Sequence, residues 1–388
     1  MRADFLIVGG GIAGLSAAAR LAPHGKVVVL EGEDALGYHS SGRSVSFSHY
    51  GIGNSVVRGM TAWSRPFFES PPEGFSEAPI ARLMPTLYFA REQELPALFA
   101  LHEEMARYTD AVETVDAERL AQLCPALRTG GDGAVQGIVD PTGLKLEAAA
   151  LLQGHARAVR AGGGDVLNGR RVAAVARTDS WTVATEGGEV FSAPILINAA
   201  GAWGDRLAAM AGVAPLGLSP RRRTIIVIDP PEGTDASAWP FLHSAAGDFY
   251  MLPEAGQLLV SPVDEVEDDP SDAAPTDYDV ALAAWKVEEY TTLPVRRISH
   301  RWAGLRSFVA DRTPTAGFDP DATGFFWLIG QGGYGLQTSP AMAAIVEALA
   351  TGGAWPEGLA ALGVTAERVG PARLRSGALG SSHRAQPD

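Results

Sequence analysis

A glycine-rich turn near the N-terminus constrains the fold of this chain more than any other feature of its sequence. It follows a short apolar run at residues 5–8 and precedes an Ala-rich helical stretch that extends to about residue 22. The turn has the spacing G-x-G-x-x-G, at Gly9, Gly11 and Gly14. A second apolar run, residues 26–30, comes next. This order predicts a βαβ unit of the kind that opens nucleotide-binding domains.

Each glycine of the turn has its own role in binding a dinucleotide. Gly9 permits the tight turn, Gly11 lets the backbone approach a pyrophosphate, and Gly14 allows the helix to pack closely on the strand. The start of the helix offers N–H groups and the positive end of its dipole to the phosphates. Glu31, at the end of the second strand, can accept hydrogen bonds from a ribose diol. The turn therefore predicts dinucleotide binding, but it does not distinguish NAD from FAD.

Charge and cysteine content narrow the possible partners and location. The net charge is −14, and binding to a polyanion requires clustered Lys and Arg, so we expect no nucleic-acid partner. The single cysteine, Cys124, excludes an intrachain disulfide, suits a reducing cytoplasm and is expected to be a buried small hydrophobe. Glycines interrupt the apolar N-terminus, which favours a strand and turn over a signal peptide. No other apolar run reaches about 18 residues, so we expect a cytoplasmic protein without a transmembrane helix.

The middle of the sequence predicts an antiparallel sheet and an exposed loop. Short β-like runs between residues 224 and 262 are separated by turns that contain Pro and Gly, which is typical of such a sheet. The stretch from Asp264 to Asp279 is acidic and rich in Pro and Ala. We expect this stretch to be a loop exposed to solvent.

A second glycine run, at residues 330–335, precedes a predicted C-terminal helix. We expect Thr338 or Ser339 to be the N-cap of this helix and Pro340 to occupy its first position, because those residue types are favoured there. Residues 371–388 are mostly polar and small, and this composition predicts a disordered tail.

Four downstream segments, taken together, resemble a known family of flavoproteins. They read GYHSSGRS at residues 37–44, LINAAGAWGD at 196–205, WAGLRSF at 302–308 and GQGGYGLQTSPAM at 330–342. With the N-terminal turn they resemble, in matching order, the family of D-amino acid oxidase, glycine oxidase, sarcosine oxidase and the D-amino acid dehydrogenases. Within this family the bacterial D-arginine dehydrogenases are the most similar. Each motif alone is weak, whereas the combination is specific.

The resemblance implies an α/β fold with two domains. A Rossmann-like FAD-binding domain of the D-amino acid oxidase (GR2) type would be assembled from residues 1–78, 140–215 and 300–370. An inserted α+β substrate-binding domain with a mostly antiparallel sheet would be formed by residues 79–139 and 216–299. Residues 371–388 would follow as the disordered tail.

The resemblance also implies that the dinucleotide is FAD. Ser40, Ser41 and Arg43 would wrap the pyrophosphate and the ribityl chain, and Val172 would pair with the adenine. The start of the C-terminal helix would stabilise negative charge at the pyrimidine edge of the flavin. No cysteine stands where sarcosine oxidases attach flavin, so we expect non-covalent FAD. The predicted cofactor-binding residues are Gly9, Gly11, Ile12, Ala13, Gly14, Glu31, Gly32, Ser40, Ser41, Arg43, Ser44, Val45, Val172, Ala200, Gly201, Trp203, Arg306, Gly332, Gly333, Tyr334, Gly335, Gln337 and Thr338.

The same resemblance places the α-carboxylate of a substrate between Arg223 and Arg306, with the hydroxyl of Tyr250 assisting them. Arginine suits this role because its planar fork binds a carboxylate through two hydrogen bonds. Three further candidates, for contact with the substrate amine or flavin or as general base, are Gly333, Gln337 and His49. No residue is assigned as a metal ligand.

Departures from the D-arginine dehydrogenases predict a different side-chain preference. Thr86 stands where those enzymes have a glutamate that pairs with the substrate guanidinium. Phe47 and Ile52 replace a histidine and a tyrosine, although His49 lies close by. With Phe241, these residues would form an apolar pocket. We therefore expect a preference for neutral or apolar D-amino acids, which lose a hydride from Cα to flavin and hydrolyse to a keto acid and ammonia.

Two alternatives remain open on the sequence alone. The same fold and arginine pair would serve glycine, sarcosine or another secondary amine, or a 2-hydroxy acid. A flavin-binding subunit without its own turnover would share the cofactor motifs. The acceptor that reoxidises the flavin, oxygen or a quinone, is also undetermined by these motifs.

Overall fold

The computed structural model describes residues 1–375. Its strands in chain order are β1 (Phe5–Val8), β2 (Val27–Leu30), β3 (Phe47–Ser48), β4 (Ala81–Leu83), β5 (Thr86–Ala90), β6 (Glu113–Asp116), β7 (Gln136–Asp140), β8 (Leu144–Leu146), β9 (Asp165–Leu167), β10 (Val172–Arg177), β11 (Trp181–Thr185), β12 (Val190–Ala193), β13 (Ile195–Asn198), β14 (Ser219–Ile228), β15 (Phe241–Ser244), β16 (Tyr250–Glu254), β17 (Gln257–Ser261), β18 (Val266–Glu267), β19 (Ile298–Phe308), β20 (Thr315–Phe318) and β21 (Phe325–Ile329).

The α-helices are α1 (Ile12–Leu21), α2 (Ser55–Glu69), α3 (Leu95–Met105), α4 (Ala117–Leu123), α5 (Ala148–Ala161), α6 (Gly204–Met210), α7 (Asp277–Tyr290), α8 (Gly335–Thr351), α9 (Ala366–Val369) and α10 (Ala372–Arg375). Short 3₁₀ helices cover Ala22–His24, Glu92–Glu94, Gly201–Trp203 and Ala360–Leu362.

A six-stranded sheet in the order β20-β21-β13-β1-β2-β9 contains the N-terminal βαβ unit. All pairs are parallel except that of β20 with β21. Alternate residues of β1 and β2 face opposite layers: Ile7 and Val29 contact α1 and α5, whereas Leu6 and Val28 face β11, β12 and α6. Both faces are therefore buried, which explains why these strands read as continuous apolar runs.

A second, mostly antiparallel sheet in the order β18-β14-β17-β16-β15-β5-β7-β6 has β19 paired along β14. One face packs on α7 through Ile226, Val280 and Val287. This architecture confirms the predicted α/β fold with a Rossmann-like domain and a second domain. The predicted boundary at residue 300 falls inside β19, however, because β19 belongs to this second sheet over its length.

The segment 264–279 is largely the exposed loop that its composition predicted, but Asp264, Ala273 and Asp279 are buried. The carboxylate of Asp264 is buried and accepts hydrogen bonds from the amide and the hydroxyl of Thr224, at 2.7 and 2.9 Å. Asp279 is buried in the first turn of α7, where it pairs with Arg222 at 3.0 Å. Composition alone predicted the exposed residues but not these contacts, because it does not show that Thr224 and Arg222 on β14 face the two carboxylates.

The C-terminal helix α8 begins earlier than predicted. Its N-cap is Tyr334, so the expected caps Thr338 and Ser339 lie inside the helix, as does Pro340. Proline removes the amide that would bond to the carbonyl of Leu336. The hydroxyl of Ser339 donates to that carbonyl instead, at 2.9 Å. The serine thus offsets the cost of the proline, and the glycine run forms the start of the helix.

The expected disorder of the tail is corrected over its first residues. Residues 372–375 form α10, in which Arg373 donates to the carboxylate of Asp311 at 2.8 Å and Arg375 pairs with Asp319. Residues 376–388, the rest of the predicted tail, lie outside the described residues. Within residues 1–375, no helix is both long and apolar enough to cross a membrane. Cys124 is buried as predicted, and burial raises the pKa of its thiol to about 11.

Candidate functional site

The turn between β1 and α1 is packed so closely that only glycine fits at two positions. Gly9 has φ +117°, and a Cβ there would lie 2.2 Å from the carbonyl oxygen of Ala199 on the neighbouring strand. A Cβ on Gly14 would lie 2.0 Å from the carbonyl oxygen of Gly9. Both obstacles are backbone atoms, so neither can move aside without displacing a strand or the helix.

Polar side chains hold the turn in place from two directions. The carboxylate of Glu31 accepts hydrogen bonds from the amides of Gly10, at 2.7 Å, and Glu33, at 2.9 Å. The amide of Ile12, in the first turn of α1, donates to the hydroxyl of Ser41 at 3.0 Å. The loop at residues 37–44 therefore covers the start of the helix, the position that phosphates prefer.

Arg43 ties this loop to the second sheet and to the segment at residues 264–279. Its guanidinium donates to the carbonyls of Ala273, at 3.0 Å, and Ala303, at 3.1 Å, and forms an ion pair with Asp272. The side chain of Ser40 donates to the carbonyl of Leu305 at 2.6 Å. These contacts connect the cofactor loop directly to β19.

A cavity of about 1620 Å³ extends from this turn to the second sheet, one face of which borders it. The predicted residues that line it are Gly11, Ile12, Ala13, Ser40, Ser41, Arg43, Ser44, Val45, His49, Gly201, Arg223, Tyr250, Arg306, Gly332, Gly333 and Gly335. The predicted cofactor residues that do not line it are Gly9, Gly14, Glu31, Gly32, Val172, Ala200, Trp203, Tyr334, Gln337 and Thr338. Two glycine-rich walls, at Gly11 and at residues 332–335, face one another across this volume, so the residues present fit a large, flat dinucleotide such as FAD.

Strand register brings the two predicted arginines to one face of the sheet. Arg223 on β14 lies opposite Gly304 on β19, and Arg221 lies opposite Arg306. Opposite residues in an antiparallel pair share a face, and alternate residues along a strand share it too. Arg223 and Arg306 therefore project to the same side, two positions apart, with no side chain at Gly304 between them. Arg222 projects to the other side, toward α7.

Two residues that the sequence analysis did not assign complete this arginine cluster. The carboxylate oxygen Oε1 of Glu265 accepts hydrogen bonds from Arg306 at 2.7 Å, from Arg312 at 2.9 Å and from Arg223 at 3.3 Å. Arg223 also donates through Nε to the carbonyl of Asp264 at 2.9 Å. The acidic composition of the segment was visible in the sequence. No pattern in the sequence, however, pairs residue 265 with residues 306 and 312.

Burial and charge act against each other in this cluster. Burial alone would raise the pKa of Glu265, but Arg306, Arg312 and Arg223 outweigh it and lower the pKa. Burial, with a smaller contribution from the like charge of Arg306, lowers the pKa of Arg223 to about 10. Glu265 is therefore ionised and Arg223 remains cationic near neutral pH. Three cations face one carboxylate here.

Gly333 leaves the space that the Arg306 guanidinium occupies. A Cβ on Gly333 would lie 2.3 Å from Nε of Arg306 and 2.6 Å from its Nη2. The guanidinium also lies 5.0 Å from the ring centroid of Phe308 and 5.9 Å from that of Tyr334. A cation near aromatic rings is stabilised by their quadrupoles. Glycine at position 333 is thus required to leave space for the guanidinium of Arg306 as well as for any bound ligand.

Aromatic side chains close the end of the cavity next to the arginines. Phe47 and Phe241 pack with ring centroids 4.6 Å apart, and both line the cavity together with Ile52. Thr86 is fully buried behind them, at the position on β5 paired with Phe241. All three predicted apolar residues line the cavity, although Ile52 packs with Val57, Phe308 and Tyr334 and not with Phe47 and Phe241. Thr86 is not among the lining residues.

His49 lies in this wall but is poorly suited to be a general base. Its Nδ1 lies 2.6 Å from the hydroxyl of Tyr88, and the residue is buried. Burial, with a smaller effect of Arg58, lowers its pKa to about 3. Burial also lowers the pKa of the neighbouring His243 well below its usual value. A neutral imidazole with so low a pKa is a weak base, which argues against the predicted proton transfer by His49.

Tyr250 and Gln337 are placed differently from each other. Tyr250 on β16 lines the cavity beside Arg223, and burial raises the pKa of its phenol, so its hydroxyl is a donor at neutral pH. The side chain of Gln337 is buried against α2, where its amide donates to the hydroxyl of Thr61 at 2.8 Å. Its side chain is thereby directed away from the arginine cluster.

Comparison with known proteins identifies the relatives of this architecture. The model of the family "FAD dependent oxidoreductase" (DAO) matches residues 4–349. FAD-dependent oxidoreductase domain-containing protein 1 of Bos taurus is 30% identical over 168 residues, covering 38% of this chain and 34% of that protein. The chain thus spans about a third of the length of the curated relatives it matches.

Solved structures share the fold over nearly the whole chain. L-alpha-glycerophosphate oxidase from Mycoplasma pneumoniae, determined with FAD bound, has a TM-score of 0.81 at 19% identity, covering 90% of this chain and 95% of that one. L-proline dehydrogenase from P. horikoshii has a TM-score of 0.81 at 18% identity, covering 96% and 98%. Glycine oxidase from Geobacillus kaustophilus has a TM-score of 0.78 at 19% identity, covering 91% and 95%.

Proposed function

We propose that this protein oxidises a small amino acid. The chain belongs to the FAD dependent oxidoreductase family and uses FAD as its cofactor. The preferred substrate is a D-amino acid with a neutral or apolar side chain. The product is the imino acid, which water hydrolyses to a keto acid and ammonia. The D-configuration rests on the resemblance of the motifs to D-amino acid dehydrogenases.

The observation that carries this proposal is the pair of guanidinium groups, Arg223 and Arg306, on the wall of the same cavity as the glycine turn at Gly11. A carboxylate is the ligand that such a pair binds best, because each planar fork can donate two hydrogen bonds to it. The phenol of Tyr250 adds a neutral donor beside Arg223. A small acid held here would lie within the volume that the cofactor shares.

The residues of this chain would bind and orient the substrate, and bound FAD supplies the acceptor for the hydride that leaves Cα. Residues Gly11, Ile12 and Ser41 would face the pyrophosphate. The guanidinium groups of Arg223 and Arg306 place positive charge at this side of the cavity. Such charge disfavours a protonated amine nearby, so it would help the substrate amine to lose its proton without a dedicated base.

The side-chain preference follows from the wall at Phe47, Ile52 and Phe241. His49 and His243, which lie beside Phe241, are neutral. Of the carboxylates that line the cavity, Glu104 and Asp311 are already paired with Arg58 and Arg373, at 3.3 and 2.8 Å, and Glu103 is exposed. A cationic side chain of the substrate would lose its hydration here without gaining an ionic partner. That loss typically costs 2–5 kcal/mol for a buried charge pair with one partner removed. We therefore expect D-arginine to be a poor substrate.

A second candidate is supported by the small size of the group that the arginines recognise. Glycine, a secondary amine such as sarcosine or proline, or a 2-hydroxy acid each present the same carboxylate. Structural neighbours named as glycine oxidase and L-proline dehydrogenase share the fold. A non-catalytic flavin-binding subunit is the candidate from a different class.

An anaerobic panel tests these candidates directly. Purified protein with FAD is mixed with D- and L-amino acids, glycine, sarcosine and 2-hydroxy acids, and flavin bleaching is followed by absorbance. We expect the fastest bleaching with neutral or apolar D-amino acids. Faster bleaching by D-arginine would contradict the side-chain preference, and bleaching by none would favour the non-catalytic subunit. Peroxide measured after admitting air then separates oxygen from a quinone as the acceptor.

A further inference from the structure

We propose that Glu265 is an affinity-determining residue that competes with the carboxylate of the substrate for the donors of Arg223 and Arg306. This inference rests on the proposed function, since it concerns the same arginine pair. Glu265 would lower the affinity of the site for all carboxylates, because a bound substrate would have to draw these donors away from it.

Glu265 is not among the residues that line the cavity, but it accepts hydrogen bonds from the two guanidinium groups that would hold a bound acid. Its Oε1 lies at the convergence of three guanidinium groups, 2.7 Å from Arg306, 2.9 Å from Arg312 and 3.3 Å from Arg223. The second oxygen, Oε2, accepts from Arg312 at 3.1 Å. A substrate carboxylate is the same chemical group with the same charge. Two carboxylates cannot accept from the same N–H groups, and they repel each other.

The remaining donors of Arg223 are limited, which strengthens the competition. Its Nε is bonded to the backbone carbonyl of Asp264, and one of its Nη atoms is bonded to Glu265. A carboxylate that binds in the bidentate manner needs two parallel N–H groups of one fork. One edge of Arg223 is therefore committed to residues 264 and 265 while Glu265 stays in place.

The segment that carries Glu265 is held by its contacts rather than by a relaxed backbone. Val263 has φ +53° and Arg312 has φ +56°, so residues on both sides of the carboxylate contact lie in the left-handed region. This region is unfavourable for a β-branched residue such as Val263 and persists only where surrounding contacts enforce it. Glu265 is partly exposed, and the next residues, Val266 and Glu267, are exposed. A path out of the cluster toward solvent is therefore present.

An opposite role for Glu265 makes an opposite prediction. If it were a permanent support that orients Arg223 and Arg306, removing its charge would disorder them and weaken the binding of acids. If it competes, removing its charge frees the donors and raises the net positive charge, so acids bind more tightly. The sign of one measurement separates the two roles.

The experiment compares Glu265→Gln with a matched control, Glu267→Gln, in the FAD-loaded protein. Both variants lose one negative charge from the same segment, but Glu267 is exposed and contacts none of the three arginines. The probe is propionate, a carboxylate that lacks the amine and cannot be oxidised in the same way. Its Kd is measured by calorimetry, and the KM and kcat of the best substrate from the panel are measured in parallel.

We expect Glu265→Gln to bind propionate about tenfold more tightly than wild type, which corresponds to about 1.4 kcal/mol. KM should fall with Kd, and kcat should change less than KM. Glu265→Asp, which keeps the charge on a shorter side chain, should show a smaller gain of the same sign. Glu267→Gln should match wild type.

A second readout remains informative if Glu265→Gln folds poorly. Its Tm without ligand should be lower, because three cations then lack their shared partner, and propionate should raise its Tm more than it raises that of wild type. Weaker or equal propionate binding in both Glu265→Gln and Glu265→Asp would overturn the competition. Absence of propionate binding to wild type, Glu265→Gln and Glu265→Asp alike would instead remove the arginine pair as an acid site, and with it the proposed function.

Discussion

The cofactor turn and the arginine cluster lie on the same cavity but are built in different ways. The turn is encoded within about ten consecutive residues, and its constraint is steric, since Gly9 and Gly14 face backbone atoms at 2.2 and 2.0 Å. The arginine cluster joins residues 223, 265, 306 and 312, which only strand pairing brings together. A steric constraint of this kind tolerates almost no substitution, whereas a charge cluster adjusts. Substitutions in the turn should therefore impair folding or FAD binding, whereas substitutions in the arginine cluster should lower the affinity for the substrate.

The largest effect is expected for Gly14→Ala. The new Cβ would lie 2.0 Å from the carbonyl oxygen of Gly9, so helix and strand must separate and the protein should lose FAD or fail to fold. The ratio of flavin to protein absorbance and the Tm measure this. Gly187→Ala is the control, because its Cβ would meet nothing closer than 3.8 Å. A Gly14→Ala protein with full flavin content would show that the packing constraint is weaker than the geometry indicates.

The next largest effect is expected for Arg306→Met, which should retain FAD but lose substrate affinity. Removing one partner of a buried charged hydrogen bond typically costs 2–5 kcal/mol, so kcat/KM should fall about 100-fold or more. Arg306→Lys should restore little, because an ammonium group lacks the planar fork. Arg301→Met on the same strand is the control, since Arg301 is half-exposed and pairs with the exposed Asp277. Equal kcat/KM in both methionine variants would exclude Arg306 from the substrate site.

A smaller effect of the same kind is expected for Gly333→Ala. The Cβ would lie 2.3 Å from Nε of Arg306, and this obstacle is the movable end of a side chain, so the fold should survive. The displaced guanidinium should raise KM about tenfold, within the range for one charged hydrogen bond. Kinetics with the best substrate and the Tm measure the two aspects separately. A large fall in Tm with an unchanged KM would place the role of Gly333 in the backbone instead.

The smallest expected effect is on the pH dependence of stability. It concerns a buried histidine of the Rossmann-like domain, not one of those at the cavity. Burial lowers the pKa of His155 to about 3, as it does for His49. The unfolded chain binds a proton below about pH 6.5 that the folded chain does not, so stability is complete above that pH and is lost as pH falls toward 3. Each such histidine contributes a slope of up to about 1.4 kcal/mol per pH unit in that window.

His155→Gln tests this linkage without touching the cavity. The side chain of His155 packs between Phe67 and Phe75, away from the arginines. The decline in Tm between pH 6.5 and 5 should be less steep in the variant than in wild type. Identical slopes would mean that His155 does not remain neutral in the folded protein. The activity profile over the same range should be unaffected, because His155 does not line the cavity.

Much of the fold could be predicted because its constraints are local. Short strands with both faces buried read as apolar runs, and the spacing of Gly9, Gly11 and Gly14 indicated the βαβ unit. The motifs further along the chain resembled a flavoprotein family, and the family match confirms FAD. The start of α8 was misplaced, because the hydroxyl of Ser339 satisfies the carbonyl that Pro340 cannot.

The sequence by itself determined the cofactor turn, since the positive φ of Gly9 and the contact of Gly14 with the carbonyl oxygen of Gly9 both lie within a few residues and favour glycine there. It also indicated Arg306, through the motif at residues 302–308, and Arg223, through the resemblance to the family. Only the tertiary structure decided that Glu265 and Arg312 join them and that His49 is neutral. Charge pairing depends on which strands lie side by side, and a pKa depends on how completely a group is removed from water. Neither quantity can be read from residue types in order along a chain.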